Sequence, residues 1–324
     1  MRKTVNILSI DGGGIRGILP ATFLAALEER LQQAHNNPDA RLADYFDLIA
    51  GTSTGGLLTC IYLTPDETDA KRPRFTARQA IEFYFAYGGV SFGETEDKGF
   101  HKYSPVGLEA QLRFFFKEMR LSQLIKPCCI TAYDLINTEP YLFLSHKAVG
   151  DPRSDFFLRS VIRSTSALPG IFPPAKVHCL AERQYTFVDG SIFAYNPALF
   201  AYMQAKQHYP QATEGVFLLS LGTGLATAAY TEAQIDDSSD KNWARLLANI
   251  AFDAHSDVVN YQLEDIFRNK SHSTYIRLQP ALHGLSKEMD NVAPENIQSL
   301  YNAGEAFVKT NEKTLADIVE LLSA

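Results

Sequence analysis

The residues with the clearest chemical potential lie in Gly51-Thr52-Ser53-Thr54-Gly55, a G-x-S-x-G stretch inside YFDLIAGTSTGGLLTCIYL. An apolar run precedes it and another of helical length follows. That is the strand–turn–helix setting in which a serine is projected clear of a sheet as a nucleophile. Gly51 and Gly55 permit the sharp turn, and the first turn of the next helix brings free N–H groups and a positive dipole end beside Ser53. The motif alone also fits a plain glycine-rich turn; the flanking pattern is what favours the nucleophile.

A second glycine run, Asp11-Gly12-Gly13-Gly14-Ile15-Arg16-Gly17, also follows an apolar strand and opens a helix. Consecutive glycines can turn their N–H groups toward one point and cradle an anion. No Lys followed by Ser or Thr is present, so the phosphate-loop pattern fails. Gly12, Gly14 and Gly17 do match G-x-G-x-x-G, but a dinucleotide loop wants an acidic residue closing a second strand about 20 positions on. That region is a helix and a polar turn around Asn36 and Asp39. The competing reading is an oxyanion hole, with the Gly13 and Gly14 N–H groups facing an ester oxygen.

A nucleophilic serine needs a proton acceptor. None of the histidines (His35, His101, His146, His178, His208, His255, His272, His283) lies in a late strand-end motif, where a three-residue hydrolase places its base. His255 and His283 come nearest, and they read equally well as a helix-face and a loop residue. In Phe187-Val188-Asp189-Gly190-Ser191 a short hydrophobic strand delivers a carboxylate followed by glycine. A desolvated aspartate can take a serine proton, because burial raises its pKa. On residue type alone, an Asx turn or helix cap is the stronger reading of Asp189.

The elements that must position these groups alternate along the chain. Strands are expected at Val5–Ile10, Tyr45–Ala50, Ile130–Leu135, Tyr141–Leu144, Thr186–Val188, Val216–Leu219 and Tyr275–Leu278. Helices are expected over Ile18–Gln33, Gly55–Tyr62, from a Thr76/Gln79 capping box through Ala86, and from Ser104–Pro105 to Lys117. Further helices are expected over Phe156–Ser164, from about Pro197, over Trp243–Phe267, Pro294–Val308 and Asn311–Leu322, the last capped by Asn311. The segment 88–104 reads as a loop that would serve as a cover. Alternation of this kind predicts an α/β fold of three layers, α/β/α, around a central, mostly parallel sheet.

With 324 residues and 46% hydrophobic composition, one domain over 1–324 is expected, the C-terminal helices at about 294–322 packing onto it. A net charge of −7 gives no general basic surface for nucleic acid. Cys60, Cys128, Cys129 and Cys179 fit neither a disulfide framework nor a paired zinc motif and read as buried hydrophobes, with Cys128 and Cys129 on opposite sheet faces. The acidic runs 66–69 and 236–240 lack the calcium-loop pattern and read as solvated surface. The N-terminus, broken by Asn6 and Asp11, is a poor signal peptide, and no stretch approaches the ~20 apolar residues of a membrane span. A cytoplasmic chain is expected, meeting any lipid peripherally.

Taken together, the separated motifs resemble the patatin-like phospholipase family. Asp11–Gly17 is similar to its DGGGxRG segment, Gly51–Gly55 to its GTSTGG nucleophile segment, and Asp189-Gly190 to its catalytic Asp-Gly pair. RSTSALPGIFPP at 163–174 and SLGTG at 220–224 resemble later segments of the family, in the family's order. The resemblance implies a lipid acyl hydrolase with a Ser53–Asp189 dyad, no histidine, and no metal or cofactor. It further implies an oxyanion hole at Gly13 and Gly14 helped by Arg16, with Gly12, Gly51, Gly55 and Gly190 in support. The substrates implied are phospholipids or galactolipids. Ser191 departs from the family pattern, where glycine or alanine is commoner, and its hydroxyl would bias the position of Asp189. For an acyl slot the aromatic candidates are Phe83, Tyr84, Phe85, Tyr87, Phe114, Phe115, Phe116 and Phe172, most of which also suit core packing. A non-catalytic nucleotide- or lipid-binding protein and a serine peptidase are the rival readings.

Overall fold

The computed structural model describes residues 4–93, 101–210, 215–225, 232, 236 and 240–323. Within them the strands are β1 Thr4–Ile10, β2 Leu48–Gly51, β3 Cys128–Asp134, β4 Glu139–Leu144, β5 Ala175–His178, β6 Gln184–Asp189, β7 Gly215–Leu221 and β8 Thr274–Leu278. The longer helices are α1 Ile18–Ala34, α2 Thr54–Leu63, α3 Ala77–Ser91, α4 Val106–Phe116, α5 Leu158–Thr165, α6 Ala198–His208, α7 Asp240–Arg268, α8 Pro294–Thr310 and α9 Glu312–Ser323.

The strands form one sheet in the order β5-β6-β3-β2-β1-β7-β8, with β4 also paired to β3. The run β3-β2-β1-β7-β8 is parallel, while β4, β5 and β6 join antiparallel. Both faces are covered, which is why the parallel strands are apolar almost throughout. On one face Leu8, Ile10, Ile49, Phe217 and Leu219 pack with α1 to α5 and the C-terminal helices. On the other, Val5, Ile7, Leu48, Ala50 and Leu218 pack against α6 and α7. The two-residue side-chain period of a strand sorts neighbours to opposite faces, and Cys128 and Cys129 are divided in this way. All four cysteines are free and buried. The result is the expected α/β/α arrangement, with α8 and α9 packed on α1.

The Thr76/Gln79 capping box forms, with Thr76 N–H donating to Gln79 Oε1 at 2.9 Å and Gln79 N–H to Thr76 Oγ1 at 3.2 Å. Several boundaries differ from the sequence reading. The expected strand Tyr45–Ala50 is instead a helical turn, Leu42–Tyr45, followed by β2, because Asp44 accepts the Arg41 N–H at 2.8 Å and closes that turn. Short apolar runs do not distinguish strand from helix by pattern alone. α4 starts one residue later than expected, with Pro105 flanking it. α3 continues to Ser91, and part of the expected 88–104 cover, 94–100, lies outside the described residues. Asn311 does not use its side chain to cap α9; its Nδ2 donates back to the Phe307 carbonyl at 2.9 Å, ending α8. β5 was hidden behind the Pro173–Pro174 pair, and it is a short edge strand with alternating burial.

Candidate active site

β2 ends at Gly51 and α2 begins at Thr54, so the chain reverses within two residues. Ser53 absorbs the turn at φ 55°, ψ −120°, a backbone state that costs a non-glycine residue about 1–3 kcal/mol. A side chain at Gly51 would meet the Gly55 carbonyl oxygen at 2.1 Å, so the approach of strand and helix admits only glycine there. Threonines brace the bend. Thr52 Oγ1 lies 2.6 Å from the Ala194 carbonyl and 2.7 Å from Thr131 Oγ1, and Ser53 N–H donates to Thr165 Oγ1 at 2.8 Å.

The sheet forks at this bend. One edge of β3 pairs with β2 as far as Ile130↔Gly51, and the same edge then pairs with β6 at Ala132↔Asp189. Two residues along a strand span roughly 7 Å, so the last residue of β6 arrives beside the bend that ends β2. Asp189 is fully buried there. Its Oδ1 accepts the Ser191 N–H at 2.8 Å. Its Oδ2 has no well-formed hydrogen bond among the described residues. Burial pushes the carboxyl up to about 6, opposed by the Ser191 N–H and by the Ser191 and Ser53 hydroxyls. The Ser53 hydroxyl thus lies beside the carboxylate without completing a bond to it. Gly190 packs against Thr131.

The glycine run leaves β1 next to β7, and its turns are held from below. Asp11 is fully buried and receives both Arg277 nitrogens, Nη1 at 2.9 Å and Nη2 at 2.5 Å, while Arg277 also donates to Ser220 and Ser256. Gly12 N–H donates to the Tyr195 carbonyl at 3.0 Å, and the Thr223 hydroxyl donates to the Gly12 carbonyl. Gly13 has φ 153°, and a side chain on it would stand 2.2 Å from Thr223 Oγ1. Neither the Gly13 nor the Gly14 N–H has an acceptor among the described residues, and both residues line the same pocket as Ser53. Arg16 does not line that pocket. Its Nε donates to the Gly13 carbonyl at 3.4 Å and its Nη2 to Tyr195 OH at 2.9 Å, so it holds the loop from behind.

The pocket, about 750 Å³ including its open mouth, is lined mainly by apolar groups such as Leu57, Phe83, Tyr84, Phe92, Leu108 and Phe172. Of the aromatic candidates, Phe83, Tyr84 and Phe172 face it. Phe115 packs on Phe83, Phe116 is core, Phe114 is exposed, and Phe85 meets Tyr301 on the outside. The side chain of Tyr87 lies outside the described residues. Phe92, directly after the last residue of α3, was not foreseen. Met289 and Asp290 reach the rim from the C-terminal third, where the Met289 carbonyl accepts the Ile15 N–H at 2.8 Å.

No histidine lines the pocket; His255 is partly buried on α7, and burial lowers its pKa. The acidic run at 66–69 is spent on turns and ion pairs: Asp66 accepts from Thr68, Asp69 from Lys71, and Glu67 pairs with Lys117. Most of the run 236–240 lies outside the described residues. Among the described residues no helix is long and apolar enough to cross a membrane.

Sequence reasoning missed Thr131, Thr165, Tyr195, Thr223 and Arg277. Thr165 and Thr223 sit inside RSTSALPGIFPP and SLGTG, segments noted without a role for either residue. The signal for Arg277 was an arginine inside the short apolar strand TYIRL.

An elbow serine, a buried carboxylate and an open pair of glycine N–H groups at one end of an α/β/α sheet define a hydrolase-like site. A family model for patatin-like phospholipases matches residues 8–202. Patatin-T5 of Solanum tuberosum is 34% identical over 357 residues, covering 99% of this chain and 90% of the relative. Patatin-17 of Solanum cardiophyllum is 34% identical over 350 residues, with the same coverage. Among solved structures, VipD from Legionella pneumophila overlaps 95% of this chain and 67% of its own at 11% identity and a TM-score of 0.34, too loose to bear on the site. The chain belongs to the patatin-like phospholipase family and is a lipid acyl hydrolase.

Proposed function

We propose that the chain is a serine carboxylic-ester hydrolase of the phospholipase A type, acting on phospholipids or related glycerolipids through an acyl-Ser53 intermediate. The observation that carries this reading is the meeting of Ser53, on its positive-φ bend, with the dry Asp189 carboxylate at an apolar pocket. Asp189 takes the Ser53 proton as Oγ attacks the acyl carbonyl carbon. The open Gly13 and Gly14 N–H groups receive the oxyanion, and preorganised donors of this kind are worth about 10²–10³ in rate each. The alcohol leaves with the proton, and Asp189 then activates water to release the fatty acid and restore Ser53. A raised carboxyl pKa suits this role, since the base must be ionised near neutral pH yet retain proton affinity. Arg16 contributes by orienting Gly13. The apolar pocket holds the acyl chain, and the lipid is met at a membrane surface from the cytoplasmic side.

The test is hydrolysis of a phospholipid and galactolipid panel by the native chain, Ser53→Ala and Asp189→Asn, with positional analysis of the products. Loss of turnover in both variants supports the dyad; full activity in either overturns it. A peptidase would need one of the histidines, and a non-catalytic binder would leave Ser53 unlabelled by a fluorophosphonate.

A further inference from the structure

Ser191 sits where two parts of the site converge. It begins the short helical turn Ser191–Ala194 directly after the Asp189-Gly190 pair. Its N–H fixes Asp189 Oδ1 at 2.8 Å, which leaves Oδ2 as the oxygen free to take a proton. Its side chain lines the pocket, and its Oγ would stand 2.7 Å from a side chain placed on Gly12. The hydroxyl therefore has the carboxylate on one side and the glycine loop on the other, and it is open to the pocket.

After acylation the proposed dyad has lost one hydroxyl, because Ser53 Oγ is part of the ester. The Ser191 hydroxyl still bears on Asp189. It can donate to the incoming water or accept from it. We propose that Ser191 is a positioning residue for deacylation, holding the attacking water between Asp189 Oδ2 and the acyl carbonyl. In that step the water oxygen bonds to the acyl carbon while Asp189 takes one water proton. The bond from that carbon to Ser53 Oγ then breaks, and the proton passes from Asp189 to Ser53 Oγ as the fatty acid leaves. The same hydroxyl supports the ionised carboxylate, so its removal raises the pH at which the base becomes active.

This inference rests on the proposed dyad, and Ser191→Ala tests it separately. The substitution keeps the backbone N–H to Asp189 and suits a helix start, so the fold is expected to persist. With a p-nitrophenyl ester of a medium-chain acid, rapid mixing separates nitrophenolate release from acyl-enzyme breakdown. Deacylation is expected to fall about tenfold, the size of one lost hydrogen bond to a charged group or its water. Acyl-Ser53 accumulates, visible by mass spectrometry after acid quench, and the acid limb of the pH profile moves to higher pH. A purely structural role would slow both half-reactions without moving the limb. Unchanged deacylation with a superimposable profile overturns the proposal and leaves the dyad standing; an active Asp189→Asn overturns both.

Discussion

Asp189→Asn is expected to stabilise the fold while removing turnover. Burial raises the Asp189 carboxyl from 3.8 to about 6, so the folded chain holds this proton more tightly than the unfolded chain does. The folded state therefore suffers no penalty from this group below about pH 4, an increasing one through pH 6, and the full one above it. A gap of about two pH units at ~1.36 kcal/mol each places that penalty near ~3 kcal/mol at pH 8. Asparagine keeps the shape and an oxygen for the Ser191 N–H, without the charge that burial penalises. At an unfolding entropy of about 2.1 cal/mol/K per residue, the gain corresponds to a melting shift of about +4 °C in a chain of 324 residues. Urea denaturation followed by fluorescence from pH 4 to 8 measures the gain directly. The advantage of the variant should be largest at pH 8, shrink below pH 6 and vanish near pH 4. A variant less stable than the native chain at pH 8, or an advantage independent of pH, would refute the reasoning.

Other outcomes follow from the same geometry. The logarithm of kcat/KM for a soluble ester should fall with unit slope below about pH 6 as Asp189 gains its proton, and a flat profile to pH 5 would exclude it as the base. Arg277→Met strands the buried Asp11 carboxylate and should cost about 3–5 kcal/mol by denaturation, much of it recovered when Asp11→Asn is added. Gly13→Ala would force a side chain to within 2.2 Å of Thr223 Oγ1 and 2.6 Å of Thr223 Cβ, so the loop must shift and activity should drop about 100-fold or more, read as kcat/KM on a soluble ester.

The sequence made the layers legible because the central parallel strands are apolar almost throughout and a helix such as α3 carries its own capping box. Ser53 was legible for a related reason: Gly51 and Gly55 lie at a strand–helix junction, and local pattern reports local geometry. Asp189 was not legible in this way, because nothing within ten residues of it shows which strand it will lie against. Its position depends on β3 giving one edge first to β2 and then to β6, a pairing between segments about 50 to 80 residues apart that no periodicity encodes. Arg277 was out of reach for the same reason, since its partner Asp11 is 266 residues away. Arg16 was legible as a supporting member of the glycine run, but its partners were not: it donates to the Gly13 carbonyl and, 179 residues away, to the Tyr195 hydroxyl.

The fork in the sheet also gives the proposed dyad a way to work without an imidazole. A free aspartate is too weak a base at neutral pH to draw a proton from serine, whereas an unperturbed imidazole has a pKa of about 6.5. Pushed up to about 6, Asp189 approaches that proton affinity and still ionises at neutral pH. The shift depends on dryness, and dryness depends on where the carboxylate enters. Arriving antiparallel on β6, Asp189 is enclosed by β3 on its edge and by the turn of Ser191–Ala194 beyond it, while Phe187 packs against Phe143 and Tyr141 two residues earlier. A base presented on a solvated loop would lose that environment and would need a ring nitrogen instead. The proposed Ser53–Asp189 dyad is thus a consequence of strand order: the sheet supplies, by burial, the basicity that a third residue would otherwise bring.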